Sequence, residues 1–173
     1  MSEGLISKEM KTSLEKIVSH CFYSNRMLDR MCSVLSVTFV MPITSNLSHL
    51  NLAHRYPILA DGISDYMDSR DCTTIYGETP RGDQDYETAL DCFNKMLEIN
   101  LELESLVRDS IKLAQQINDY TTKVYLEDYL EKLMPITKDI LLLVDKAEMY
   151  GDSDAGMMKF DHDITSFGIF GGE

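Results

Sequence analysis

At 173 residues the chain has the length of one domain, enough for a single sizeable core. With 44% hydrophobic and 26% charged residues, 9 Gly and 4 Pro, its composition is that of a folded globular protein rather than a disordered one. The 16 Lys and Arg against 29 Asp and Glu leave a formal net charge of -13, so the surface repels phosphate backbones and anionic headgroups and attracts cations; neither nucleic acid nor a membrane is expected as a partner.

No apolar run approaches the length of about eighteen residues that a membrane span needs, and the first turns hold no signal-type apolar core. The four cysteines, Cys21, Cys32, Cys72 and Cys92, make no close pair and no CxxC. They read as buried free thiols in a reducing, cytoplasmic compartment.

Apolar residues recur at intervals of three and four in four long stretches, which predicts an all-α chain. The first carries Ile6, Met10, Leu14, Ile17, Cys21, Leu28, Met31 and Leu35 on one face and ends at Met41-Pro42. Its β-branched tail, Val34 to Val40, is expected to fray or turn. Ser45 or Asn46 suits the N-cap of a second helix with the stripe Leu52, Tyr56, Leu59, Ile63, Tyr66 and Met67. Pro57 interrupts it and must kink the helix or mark its first turn. The segment Gly77 to Gly82 is expected to stop this helix.

A third helix is expected to start near Asp83 or Asp85, with Tyr86, Leu90, Phe93, Leu97, Leu101, Val107 and Ile111 inward. Asn118-Asp119 breaks it, and Thr121 or Thr122 can cap a fourth helix with the stripe Leu126, Leu130, Leu133, Ile140 and Val144. The run Ile140 to Val144 is apolar all round and calls for cover on more than one side, which self-association would supply. From Gly151 onward the chain is rich in Gly and Asp yet holds Met157, Met158, Phe160, Phe167 and Phe170, which predicts a short docked helix and a loose end. Together these elements specify an antiparallel four-helix bundle over residues 1–150 and a partly docked tail over 151–173.

Nucleophile elbows, phosphate loops, dinucleotide fingerprints and HExxH are all absent from the sequence. Carboxylates and four histidines remain. His54, Asp61, Asp65 and Asp68, at spacings of seven, four and three, share one side of the second helix, with Asp71 at its margin. Carboxylates at such spacings converge, and with one imidazole they suit Fe(II), Mn(II) or another divalent ion. This side points away from the apolar stripe, so the set is either a solvated acidic face or a metal site that a second subunit covers.

Glu104 falls in register with the inward stripe of the third helix. A carboxylate there needs a cation, a proton or several donors. It is either a ligand, as in di-iron bundles, or a carboxylate held at the helix edge or bonded to a tyrosine; the Glu-x-x-His partner motif of di-iron bundles occurs nowhere in the chain. His20, with Glu15 and Tyr23 nearby, and His49 are either ligands or hydrogen-bonded structural residues, and Asp161-His162-Asp163 is a cation-friendly triplet in the tail.

From Gly77 onward the chain resembles the ferritin-like superfamily. Gly77-Glu78-Thr79-Pro80-Arg81-Gly82 is similar to a turn of the starvation-type mini-ferritins (Dps). Asp85-Tyr86-Glu87, the break Asn118-Asp119, Tyr125-Leu126-Glu127 and the tail Ala155 to Phe160 resemble, in order and spacing, the later helix boundaries of ferritins and their short fifth helix. The resemblance implies a subunit of a hollow cage, a dodecamer or 24-mer, that binds iron, oxidises Fe(II) and stores the mineral. In the larger ferritins' pattern, ligand positions on the third and fourth helices fall here on Asn100 and Met134. The mini-ferritin pattern instead places iron between two subunits, and implies His54, Asp65, Asp68 and Asp71 as ligands. A ferritin-fold bundle without a metal centre, acting as a structural or protein-binding module, is the alternative reading; a bundle with no family tie, meeting a partner through the Ile140 to Val144 ridge, is a third.

Overall fold

The computed structural model describes residues 4–171, and among these every regular element is helical. Helix α1 spans Lys8–Val37, and the side chain of its N-cap, Ser7, accepts from the Met10 amide. A tight turn follows in which Val40 adopts φ 54°, a left-handed conformation rare for a β-branched residue.

The second bundle helix is built in three pieces. Helix α2, Pro42–Ser48, has proline in its first turn, where the missing amide costs nothing. A π-helical turn, His49–Ala53, follows it, and helix α3 runs from Arg55 to Ser69. Pro57 thus sits in the first turn of α3. The carbonyl four residues before it, on Ala53, accepts instead from Asn25 Nδ2 on α1 at 3.1 Å. Ser45 and Asn46, expected at an N-cap, lie inside α2, and the Ser45 hydroxyl donates to the Cys32 carbonyl at 2.6 Å.

Helix α3 ends well before Gly77. Asp71 takes φ 55°, the Asp71 amide bonds to the Asp68 carbonyl and the Cys72 amide to the Met67 carbonyl, which together close a Schellman motif. The chain then runs without regular structure along α1 to Thr88. Ile75 donates its amide to Glu15 Oε1 at 2.9 Å, Tyr76 meets Phe22 edge-on, and Arg30 holds the Gln84 carbonyl and the Asp85 carboxylate. This strap carries the chain from the end of the bundle near Leu5 back to the other end.

Helix α4, Ala89–Gln116, therefore runs parallel to α3. Thr88 and Asp91 form a reciprocal capping box at its start, later than the aspartates expected there. Asn118, at φ 59°, closes a second Schellman motif. Asp119 then caps helix α5, Tyr120–Tyr150, by accepting from the amide and hydroxyl of Thr122, so the threonine completes a cap that the aspartate makes. The buried face of α4 is set by Phe93, Met96, Asn100, Leu103, Val107 and Ser110, and Leu101 is 42% exposed rather than inward. In the Ile140 to Val144 run, Leu141 is 45% exposed while Ile140, Leu143 and Val144 are covered within the chain.

Helix α6, Asp154–Asp163, and a 3-10 turn, Ile164–Phe167, fold across one end of the bundle. Phe160 packs against Phe93, Tyr150 and Phe167. Ile169 and Phe170 are buried, and the Phe170 amide donates to Asp139 at 3.0 Å, so the tail through Phe170 is pinned rather than loose.

Candidate metal centre

Helices α3, α4 and α5 meet in a chain of polar side chains in the middle of the bundle. Tyr56 and Asn100 are fully buried there. Burial pushes the Tyr56 phenol well above its ordinary value, so it stays a donor, and it donates to Asn100 Oδ1 at 2.9 Å. Asn100 Nδ2 donates to the Thr137 hydroxyl at 2.7 Å, and that hydroxyl donates to the Glu104 carboxylate. Arg108, one turn along α4, reaches the other Glu104 oxygen at 3.1 Å.

Every donor in this chain points toward Glu104, whose side chain is only 12% exposed. Its charge is met by one hydroxyl and one guanidinium. Across from Asn100 and Glu104 stands Thr137, not Met134, which is 61% exposed on the far side of α5. Glu104 is inward, as its register predicts; Thr137 was not expected at the site, although it lies one turn beyond Leu133 on the same helix, the spacing that could have pointed to it.

The second set lies outside. His54, Asp61, Asp65 and Asp68 are exposed along α3, and Asp71 is exposed just beyond its end. At about 100° per residue, His54, Ile58, Asp61, Asp65 and Asp68 fall within roughly 80° of one another, a ridge about 21 Å long. Ile58, in the middle of it, is 68% exposed. Within one chain the ridge is a row, and among the described residues no group of three or more His, Cys, Asp or Glu side chains is gathered to hold a metal ion. Behind it, Tyr66 and Tyr125 stack at 4.0 Å, and Tyr125 and Tyr129 donate to the Gly62 and Leu59 carbonyls, fixing α3 on α5.

The other histidines are placed as follows. His20 Nε2 bonds to the Ile99 carbonyl at 2.9 Å and its ring leans on Tyr23, a structural link between α1 and α4. His49 meets His54 edge-on and lies 3.4 Å from Asp29. In the tail triplet, Asp161 is buried and accepts from the Ile43 and Thr44 amides at the start of α2. Asp163 accepts from His162, Lys159 and Tyr150, in that order of effect, which holds its carboxyl below the usual carboxylate range. Burial pushes the thiols of Cys21, Cys32 and Cys92 up to about 12, which makes them inert packing groups. No described helix is long and apolar enough to cross a membrane.

No described protein family matches the sequence, and no curated protein matches it either. The architecture does have relatives among solved structures. An open-pore ferritin from the hyperthermophilic archaeon Archaeoglobus fulgidus is 17% identical, with 92% of this chain and 97% of that chain covered at a TM-score of 0.85. A humanized archaeal ferritin and a closed form engineered from the Archaeoglobus fulgidus protein are each 18% identical, covering 92% of this chain and 95% and 96% of theirs, at a TM-score of 0.84. The all-α four-helix bundle with a short C-terminal helix is therefore the ferritin fold.

Proposed function

We propose that this chain is a ferritin-like, self-associating iron-binding protein in which a second copy closes over the outer face of α3. The observation that carries this reading is the composition of that face. Ile58 is exposed in the midst of His54, Asp61, Asp65 and Asp68, and an apolar side chain among ligand-type groups suits a surface that another surface covers. Closure would turn the row of donors into a pocket, with His54, Asp65, Asp68 and Asp71 as the iron-contacting set. Oxygen donors with one imidazole suit Fe(II), and the net charge of -13 draws cations toward the shell. The domain reading accompanies it: residues 1–150 as the bundle and 151–173 as a partly docked tail, in an assembly of twelve or twenty-four copies.

A second reading has its own support. In the bundle interior Tyr56, Asn100, Thr137, Glu104 and Arg108 satisfy one another without a metal, which suits a ferritin-fold module that works through protein contacts. Anaerobic loading with Fe(II), exposure to air, and native mass measurement separate the two. Faster oxidation than buffer, iron retained by a cage-sized species, and loss of both in Asp65→Asn with Asp68→Asn support the first. A monomer or dimer that retains no iron overturns it and leaves the second.

A further inference from the structure

On an α-helix, His49 and His54 would stand about 140° apart and could not share a ligand. The π-helical turn changes that. The His54 amide bonds to the His49 carbonyl at 3.2 Å, a five-residue step, and the extra residue brings the second ring back over the first. The rings meet edge to face with centroids 4.5 Å apart and an interplanar angle of 66°. Both are open to water: the His49 side chain is 44% exposed, and His54 is exposed as well. Helices seldom take a π-turn, and those that do frequently have a functional site there.

Asp29, from α1, stands beside His49. Its Oδ1 lies 3.4 Å from His49 Nε2 and, although buried, makes no hydrogen bond. Asp29 and His49 also line one groove of about 510 Å³ between α1 and α2. A buried carboxylate oxygen without a donor, set beside an imidazole nitrogen, is placed to take that N–H once the other ring nitrogen is engaged.

We propose that His49 and His54 form a two-imidazole chelate for a borderline divalent ion of the Zn(II), Cu(II) or Ni(II) class, with Asp29 as the positioning carboxylate of His49. At metal–nitrogen distances of about 2.0–2.1 Å each ring centre lies about 3.2 Å from the ion. Two rings bound in neighbouring positions then have centres about 4.5–5.2 Å apart, and the observed 4.5 Å falls in that range. Two nitrogens and open positions for water give a labile, exchangeable site. Imidazole pairs favour these ions over the hard cations that carboxylates prefer. The chelate is complete within one chain and requires neither iron nor a second copy.

The test uses Cu(II) added to iron-free full-length protein. Expected are one saturable Cu(II) per chain and an electron paramagnetic resonance spectrum split by two equivalent-type nitrogens. His49→Ala and His54→Ala each weaken binding at least tenfold and remove the two-nitrogen pattern. Asp29→Asn weakens it by about tenfold. His20→Ala and His162→Ala leave it unchanged. Should either single variant fail to fold, nitrogen-15 spectra of the wild type titrated with Zn(II) give the same answer, with the ring nitrogens of His49 and His54 shifting together and those of His20 and His162 staying still. No saturable binding, or a two-nitrogen signal that survives in His49→Ala or His54→Ala, overturns the proposal. His54 belongs to both ligand sets, so the two ions would compete for it; because no iron is present here, either outcome leaves the iron reading to its own assay, which turns on Asp65 and Asp68.

Discussion

Replacing Thr137 by valine keeps the shape of the side chain and removes only the hydroxyl that joins Asn100 to Glu104. Two groups are then orphaned. Asn100 Nδ2 loses its acceptor at a position with no solvent exposure, a loss of about 1–3 kcal/mol. Glu104 loses a charge-assisted donor but keeps Arg108 and some water, which places its share near the lower end, about 1 kcal/mol. The sum is about 2–4 kcal/mol, or a fall in Tm of about 5–15 °C for a domain of this size. Urea titration followed by far-UV circular dichroism measures it, with chain concentration held fixed because self-association would shift the midpoint. Adding Asn100→Leu and Tyr56→Phe removes the orphaned amide and the phenol that pairs with it, leaving only Glu104 short of a donor, so the triple variant should recover part of the loss. A single-variant cost below about 0.5 kcal/mol would refute the idea that the interior is held by this chain of donors.

Two further outcomes follow from local geometry. Val40, at φ 54° and 73% exposed, sacrifices little packing on replacement, so Val40→Gly should stabilise the chain by about 0.5–1 kcal/mol in the same titration, and a loss would show that the side chain packs more than its exposure indicates. Asp163 titrates in the fold below its ordinary value of 3.8, chiefly through His162 and then Lys159 and Tyr150. A depressed carboxyl contributes fully above the unfolded value and fades as pH falls through the folded one, so α6 should stay docked down to about pH 4 and loosen only in stronger acid. Amide exchange in α6 that is already accelerated between about pH 6 and 5 would contradict this, and Asp163→Asn should abolish the acid step.

The long helices were legible because α1, α4 and α5 bury one stripe each, and the three-and-four spacing of apolar residues reports that directly. Their ends were less so. Asn118-Asp119 was readable as a break, but Asp71 occupies a left-handed position that glycine would have advertised, and the strap after Cys72 holds no helix to point at its own boundaries. Pro57 did announce an irregularity, but its resolution through a π-turn depends on Asn25, which lies twenty-eight positions before the Ala53 carbonyl it bonds and is adjacent to it only in space. Glu104 was legible as an inward charge from its angular position. Its partner was not, because whether Leu133, Met134 or Thr137 faces it depends on the rotation of α5, which the docking of Tyr125 and Tyr129 on α3 determines. The ridge on α3 was readable from spacing alone; the pairing of His49 with His54 was not, since ordinary helical geometry separates them.

The strap between Cys72 and Thr88 divides the molecule into two helical hairpins that meet through their apolar faces and a few hydrogen bonds, such as Tyr56 to Asn100 and His20 to the Ile99 carbonyl. Emerging from the ribosome, the N-terminal hairpin is finished about eighty residues before its complement, a wait of roughly 4–16 s at ordinary rates of synthesis. During that interval Met10, Leu14, Ile17 and their neighbours have no α4 or α5 to lie against. The tether then raises the local concentration of the matching half and favours its own partner over a neighbour's. A strap cut or shortened would turn the same complementarity outward, into exchange of halves between nascent chains.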